Sequence, residues 1–288
     1  MSDGDLSPGG LGRVALLGTG LIGGSFAAAL KRHGLASRII AYSAGDAQAA
    51  LQMGLVDEVV GSAQVAVAGC DAVVLAAPVS VNIALLEQIG RALPPGVLLT
   101  DVSSVKLGVV EAARRHLGEA LPGFVPCHPI AGSERSGPQA ADADLFAGRT
   151  VILSPLATSE PSQVTRLEQI WQRFGARVLR LSPQEHDRVY ALVSHWPHAV
   201  GFALAAAVAG NRIDDALVGQ GLLDLTRTAA SSPELWADIL LQNAQPVLQA
   251  AELVADELAA IRDAVERGDR AALAALFSRA AAWRNRLG

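Results

Sequence analysis

At 288 residues, with 23 basic and 28 acidic side chains, the chain has a formal charge of −5 and no basic stripe, which argues against nucleic acid as a partner. It is 51% hydrophobic, yet no apolar run reaches the ~20 residues of a membrane span, and the start lacks a basic segment leading into an apolar one. Two cysteines, Cys70 and Cys127, cannot build a disulfide framework, so the expectation is a cytoplasmic globular protein large enough for two domains.

Residues 1–12, MSDGDLSPGGLG, are polar and Gly-rich and read as a flexible tail. Then Arg13–Leu17 is an apolar strand-like run, followed at once by Gly18-Thr-Gly20-Leu21-Ile22-Gly23 and an alanine-rich helical stretch that Gly34 can stop. Strand, three spaced glycines and helix together point to dinucleotide binding. Gly18 makes the tight turn, Gly20 lets the backbone approach a pyrophosphate, and Gly23 lets helix pack on strand. Leu21 and Ile22 open the helix whose amides and dipole receive the phosphates.

The second strand, in RIIAYS, ends at Ser43, where the residue that meets the adenosine ribose is expected. An acidic side chain there would accept both ribose hydroxyls and repel a 2′-phosphate. Ser43 does neither, which favours NADP over NAD, although no arginine follows to clamp the phosphate.

Further strand-like runs at Ala72–Ala77, Val97–Thr100, Phe124–Cys127, Thr150–Leu153 and Arg177–Leu181 alternate with helical segments. This predicts an α/β fold: a Rossmann-like, doubly wound, mostly parallel sheet over 13–181. From Ser182 the pattern becomes helical only. Ser182, Pro183 and Glu185 form a start signal, and a long apolar helix through Val208 is expected to kink at Pro197. Ser232 and Pro233 start another helix. Residues 182–288 therefore read as an all-helical domain, apolar enough on its helices to imply a homodimer through it.

Ligands in open α/β sheets bind beyond the carboxyl ends of the strands. Two segments fall there: TDVSSVK, with Ser103 beside the cofactor and Ser104, and CHPIAG, with His128. A serine-oriented histidine near a nicotinamide suits general base work. Cys127 should point to the opposite face of its strand and be buried. His195 and His198 are three apart on a helix without a clear third ligand, so no metal site assembles. Asp224 and Arg227, also three apart, are either an intrahelical pair or leave the arginine for a substrate carboxylate.

Taken in order, GTGLIGGS, DVSSVK, HPIAGSERSG, SHWPH and DLTRTAASSPELWADIL resemble the prephenate/arogenate (cyclohexadienyl) dehydrogenases of tyrosine biosynthesis, from about Arg13 to Asn243. The resemblance implies a Rossmann-like domain, an all-helical dimerisation domain and a site between them. The implied activity is NAD(P)-dependent oxidative decarboxylation of a cyclohexadienol, prephenate or arogenate. By the same resemblance His128 is the catalytic base, Ser104 its support, Arg227 the partner of the ring carboxylate and His195 a substrate-side histidine. Glu134 and Asp224 form a polar gate, Trp236 lies toward the substrate's side chain, and tyrosine is a possible competitive inhibitor. Two rivals remain at this stage. A β-hydroxyacid dehydrogenase would want a lysine on the long helix, but Ser182–Gly210 has none. A non-catalytic NADP-sensing protein would leave His128 and Arg227 idle.

Overall fold

Six parallel strands carry the amino-terminal half of this computed structural model, which describes residues 10–45, 47–132 and 135–287. The strands are β1 (Gly12–Leu17), β2 (Ala36–Tyr42), β3 (Glu58–Val59), β4 (Ala72–Leu75), β5 (Leu98–Asp101) and β6 (Phe124–Val125), in the order β3-β2-β1-β4-β5-β6. Helices α1 (Leu21–Arg32), α2 (Ala47–Gln52), α3 (Ala63–Val67), α4 (Val79–Ile89) and α5 (Leu107–His116) connect them. Alternation along the strands builds two cores. Val14, Leu16 and Val74 face α1 with Phe26, while Ala15, Leu17, Val73 and Leu75 face α3, α4 and α5. Both faces are covered, which is why these strands are almost uniformly apolar. The tail expected over 1–12 is shorter at its inner end: Leu11 is buried, its amide bonds Leu35, and β1 starts at Gly12.

One expectation for this half is corrected. Phe124–Cys127 reads as a single strand of one sheet, but the chain divides it. β6 ends at Val125, and β7 (Cys127–Pro129) begins a second sheet, antiparallel to β8 (Thr150–Leu153), which pairs in parallel with β9 (Arg177–Arg180). Pro126 has no N–H to continue the ladder, and its carbonyl instead accepts from Ser154 at 2.8 Å. Helix α6 (Pro161–Arg173) covers this small sheet, its Trp171 packed edge-on against Phe26 and Phe146.

The rest is helical: α7 (Pro183–Tyr190), α8 (Trp196–Gly210), α9 (Gln220–Thr226), α10 (Pro233–Gln242), α11 (Ala244–Glu266) and α12 (Arg270–Arg284). Ser182 accepts from the Glu185 amide and caps α7. The kink expected at Pro197 takes the form of a π-turn, Ala191–His195, that joins α7 to α8 without a break. The missing N–H of proline forbids the ordinary pattern one turn earlier, and a widened turn absorbs the mismatch. The continuous helix Pro183–Gly210 has 28 residues and an 18-residue stretch of mean hydropathy 1.3, so by length and composition alone it matches a membrane span, which the sequence reading did not anticipate. Only 17% of that stretch is buried within the chain. Among the described residues the helical half's own core cluster is Ala191, Val247 and Ala250, with Trp196 and Leu240 packed against it, while Leu217, Leu225 and Leu241 are 78%, 68% and 75% exposed.

Candidate active site

The glycine loop after β1 fits a dinucleotide pyrophosphate. Gly18 has φ +109°, and a Cβ there would meet the Ala76 backbone at 2.5 Å. A Cβ on Gly23 would meet the Gly18 carbonyl at 2.2 Å, so α1 can press against the loop only with glycine at that position. Around Gly20 nothing lies within 4 Å of such an atom. That open space faces the first turn of α1, where Leu21 and Ile22 are half-buried and their amides belong to the helix N-terminus. Ser43 follows β2 directly, and its Oγ accepts from the Gly45 amide at 3.3 Å. Arg38 is engaged elsewhere, with Glu58 at 2.7 Å.

Beyond β5 the loop is tied down from below. Asp101, fully buried, accepts from the amides of Ser103 (3.0 Å) and Cys127 (3.1 Å) and from Lys106 Nζ (2.5 Å). Lys106 Nζ also donates to the Cys127 carbonyl. Lys106 and Asp101 are both inaccessible, so a closed ion pair clamps the start of β7 to the end of β5. Ser103 is buried and its Oγ accepts from Asn82 Nδ2 at 2.9 Å. Cys127 lies wholly inside, where burial pushes its thiol far up in pKa; it is a packing residue, as strand alternation required.

His128, next on β7, is only partly covered. Its Nδ1 lies 2.8 Å from His186 Nε2, and His186 Nδ1 lies 2.8 Å from Asp187 Oδ1. The Asp187 carboxylate accepts the amides of Lys106 and Leu107, both at 2.8 Å. Asp187 on α7 thus caps α5 and joins the helical half to the nucleotide-binding half. Tyr190 stacks on His186 at 4.6 Å and meets His128 edge-on at 5.1 Å. Burial first, then neighbouring positive charge, lowers the pKa of His128 and takes that of His186 down to about 2. Both rings are neutral at ordinary pH.

His195 ends the π-turn, fully buried, with Nδ1 at 3.0 Å from Asn243 Nδ2. The same Nδ2 donates to the Asp187 carbonyl at 2.9 Å. The Ser104 backbone helps to hold a proton on His195, but desolvation outweighs it and sets the pKa at about 4. No hydrogen bond of normal geometry reaches His195 Nε2. Trp236 stands 6.4 Å from His195 and stacks on His198 at 3.5 Å. The charge of Arg227 is felt at His198, whose Nδ1 donates to the Ser194 carbonyl at 2.8 Å.

The structure places several of these residues as follows. The Ser104 backbone lies beside His195, and the group bonded to His128 Nδ1 is His186, which spacing did not reveal. Asp224 and Arg227 make no intrahelical pair: α9 ends at Thr226, Arg227 opens a 3-10 turn, and Asp224 accepts from Gln220 Nε2 at 2.8 Å. Glu134 lies outside the described residues. No cluster of three or more His, Cys, Asp or Glu suited to a metal occurs among the described residues. The only signal for His186 and Asp187 is the pair itself, set in the first turns of a well-capped helix.

A parallel sheet of this order, a glycine-lined helix start and a set of neutral histidines where an all-helical half docks define a class: nucleotide-binding oxidoreductases of two domains. Two family descriptions divide the chain between them. "Prephenate dehydrogenase, nucleotide-binding domain" matches residues 26–180, and "prephenate dehydrogenase, dimerization domain" matches 182–279. The prephenate dehydrogenase of Bacillus subtilis is 35% identical over 281 residues, 95% of this chain and 76% of that protein. The crystal structure of Aquifex aeolicus prephenate dehydrogenase with hydroxyphenyl propionate and NAD+ superposes with a TM-score of 0.89 at 30% identity, covering 96% of this chain and 99% of that one. Synechocystis arogenate dehydrogenase superposes at 0.80 with 26% identity, covering 96% and 100%. The chain belongs to the prephenate dehydrogenase family.

Proposed function

We propose that the protein catalyses NAD(P)-dependent oxidative decarboxylation of prephenate, arogenate or both, to 4-hydroxyphenylpyruvate or tyrosine, with His128 as general base. The observation that carries this reading is the partly open His128 ring on β7, whose Nδ1 is engaged by His186 from the helical half. A bound nicotinamide dinucleotide supplies the hydride acceptor. Gly18, Gly20, Leu21, Ile22 and Gly23 seat its pyrophosphate, and Ser103 and Ser43 lie toward its two ends. NADP is favoured over NAD because Ser43 presents no carboxylate to a 2′-phosphate.

In this reading His128 takes the proton of the ring hydroxyl as hydride leaves the same carbon. The resulting dienone loses its carboxylate as CO2, and aromatisation drives the step, so the site mainly needs orientation and one base. Arg227 meets the ring carboxylate, pairing firmly enough to orient it and loosely enough to let CO2 depart. Ser104 and His195 border the ring, Trp236 lies toward the side chain, and Asp224 with Glu134 gates the entrance. Tyrosine, as a product-like aromatic, would compete for the same pocket. The exposed apolar surface of the helical half is covered by a second copy of the chain.

The test is steady-state formation of reduced nicotinamide with prephenate and arogenate, each against NAD and NADP. Turnover with at least one pair is expected, faster with NADP. Absence of turnover with all four pairs refutes the dehydrogenase reading; equal or better turnover with NAD refutes the Ser43 argument alone.

A further inference from the structure

Two buried groups behind His128, His186 and Asp187, form a chain whose hydrogens can be assigned from their partners. Asp187 stands at the amino end of α5, where two backbone amides at 2.8 Å can only donate to it. Burial pushes the Asp187 carboxyl up in pKa, but the two amides and the helix N-terminus they belong to favour the ionised, accepting form. With Asp187 an acceptor, His186 must place its hydrogen on Nδ1, 2.8 Å from Oδ1. His186 Nε2 is then a bare lone pair, and the nitrogen facing it at 2.8 Å, His128 Nδ1, must carry a hydrogen.

We propose that His186 and Asp187 are positioning residues for His128. They hold it in the Nδ1–H form, so that its Nε2 lone pair is the one turned to the cleft, and they support the imidazolium formed when Nε2 accepts a proton. The role deepens the general-base reading above and rests on it. In the step served, the substrate O–H bond breaks and the Nε2–H bond of His128 forms. The new charge is then shared through the Nδ1–H hydrogen bond to His186, which Asp187 backs with a carboxylate. A histidine free to rotate or exchange tautomers would spend part of its time with Nε2 already protonated and useless as a base.

The neighbouring His195 is set the opposite way by the same hub. The Asp187 carbonyl can only accept, so Asn243 turns its amide nitrogen toward it. The second hydrogen of that nitrogen goes to His195 Nδ1 at 3.0 Å. His195 therefore carries its hydrogen on Nε2, which no hydrogen bond of normal geometry engages and which the Ser104 backbone helps to keep protonated. One histidine presents an acceptor and the other a donor.

The charged and titratable groups packed around His128 are His186, Asp187 and Tyr190 on α7, Lys106 and Asp101 at the end of β5, Cys127 on its own strand and His195 on the π-turn. Lys106 opposes protonation of His128, but its charge is already neutralised by Asp101 at 2.5 Å. Of these groups, Asp187 is the anion placed to stabilise the imidazolium through an intervening ring.

The experiment is imidazole nitrogen NMR on the full-length, histidine-labelled wild-type protein, with His128 and His195 assigned by single substitution, beside kinetics of His186→Leu and His186→Asn. The expected spectrum has His128 protonated on Nδ1 and His195 on Nε2. A wild-type His128 protonated on Nε2 overturns the proposal without any variant. In His186→Leu, kcat should fall roughly 10–10³-fold while KM moves less than about 3-fold, with the acid limb of the kcat/KM profile displaced. His186→Asn, whose amide oxygen can still accept from Nδ1, should recover part of the loss. Unchanged kcat and an unchanged acid limb in His186→Leu overturn the proposal. If the wild type turns over neither substrate, the dehydrogenase reading has failed, and the spectrum still decides the hydrogen positions by itself.

Discussion

His128, the proposed base, owes its position to one alternation. Cys127 turns into the core and His128 turns out, a pattern readable from the strand alone, and Pro126 before them frees the segment from the main sheet. Replacing His128 with Asn removes the base but leaves the packing, so kcat should fall about 10²–10⁴-fold; stopped-flow or steady-state formation of reduced cofactor measures it, and undiminished turnover would strike His128 from the mechanism. The buried histidines also make a claim about stability. An unfolded histidine takes a proton near 6.5, whereas His195 folded does so at about 4 and His186 at about 2. Below 6.5 the unfolded chain binds more protons than the folded one, so stability drops as pH falls through that window and is regained above it. At pH 5 the loss is about 2 kcal/mol for each ring, or roughly 10 °C in melting temperature together. A melting curve flat from pH 7.5 to 5 would contradict the neutral state of these rings. Local spacing was a poor guide here. His186 meets His128 across 58 positions of sequence, a relation no periodicity encodes, and Asp224 and Arg227 had helical spacing without a shared helix.

Among the elements, the glycine loop was the most legible because each glycine answers to a local steric demand: a positive φ at Gly18, a 2.2 Å approach at Gly23 and open space at Gly20. The second sheet was not legible. Phe124–Cys127 has strand composition throughout, and only the pairing of Pro126 with Ser154 shows where one sheet gives way to the other. The clamp at that junction is a buried ion pair. Lys106→Met leaves Asp101 charged, fully buried and without its cation, a loss of about 3–5 kcal/mol. Urea titration should record it as an earlier midpoint, and a midpoint equal to wild type would show that the Ser103 and Cys127 amides suffice to hold Asp101. The π-turn stands at the same level of organisation. Pro197 signalled a disturbance in the helix, but not that it would widen the turn and bring His195 at its end to Asn243, distant in sequence.

For the whole molecule, the division near 181/182 followed from a change of pattern, strands giving way to helices, and the two family matches fall on either side of it. A helical half with three residues in its core cluster and leucines 68–78% exposed cannot account for its own apolar surface. Sedimentation at micromolar concentration should therefore show a dimer, and a monomer there would leave the exposed face of the Pro183–Gly210 helix needing another cover. Helices apolar nearly all round pointed to such an interface in the sequence, whereas the bond between the halves was not legible there. Asp187 holds the amino end of α5 with one side chain and, through His186, the ring of His128. If His128 is the base proposed above, separation of the halves and loss of that base are one event with one free energy. A protein loosened at this joint, by mild denaturant or warming, should fall silent while its sheet is still intact, so that its turnover works as a strain gauge on the joint.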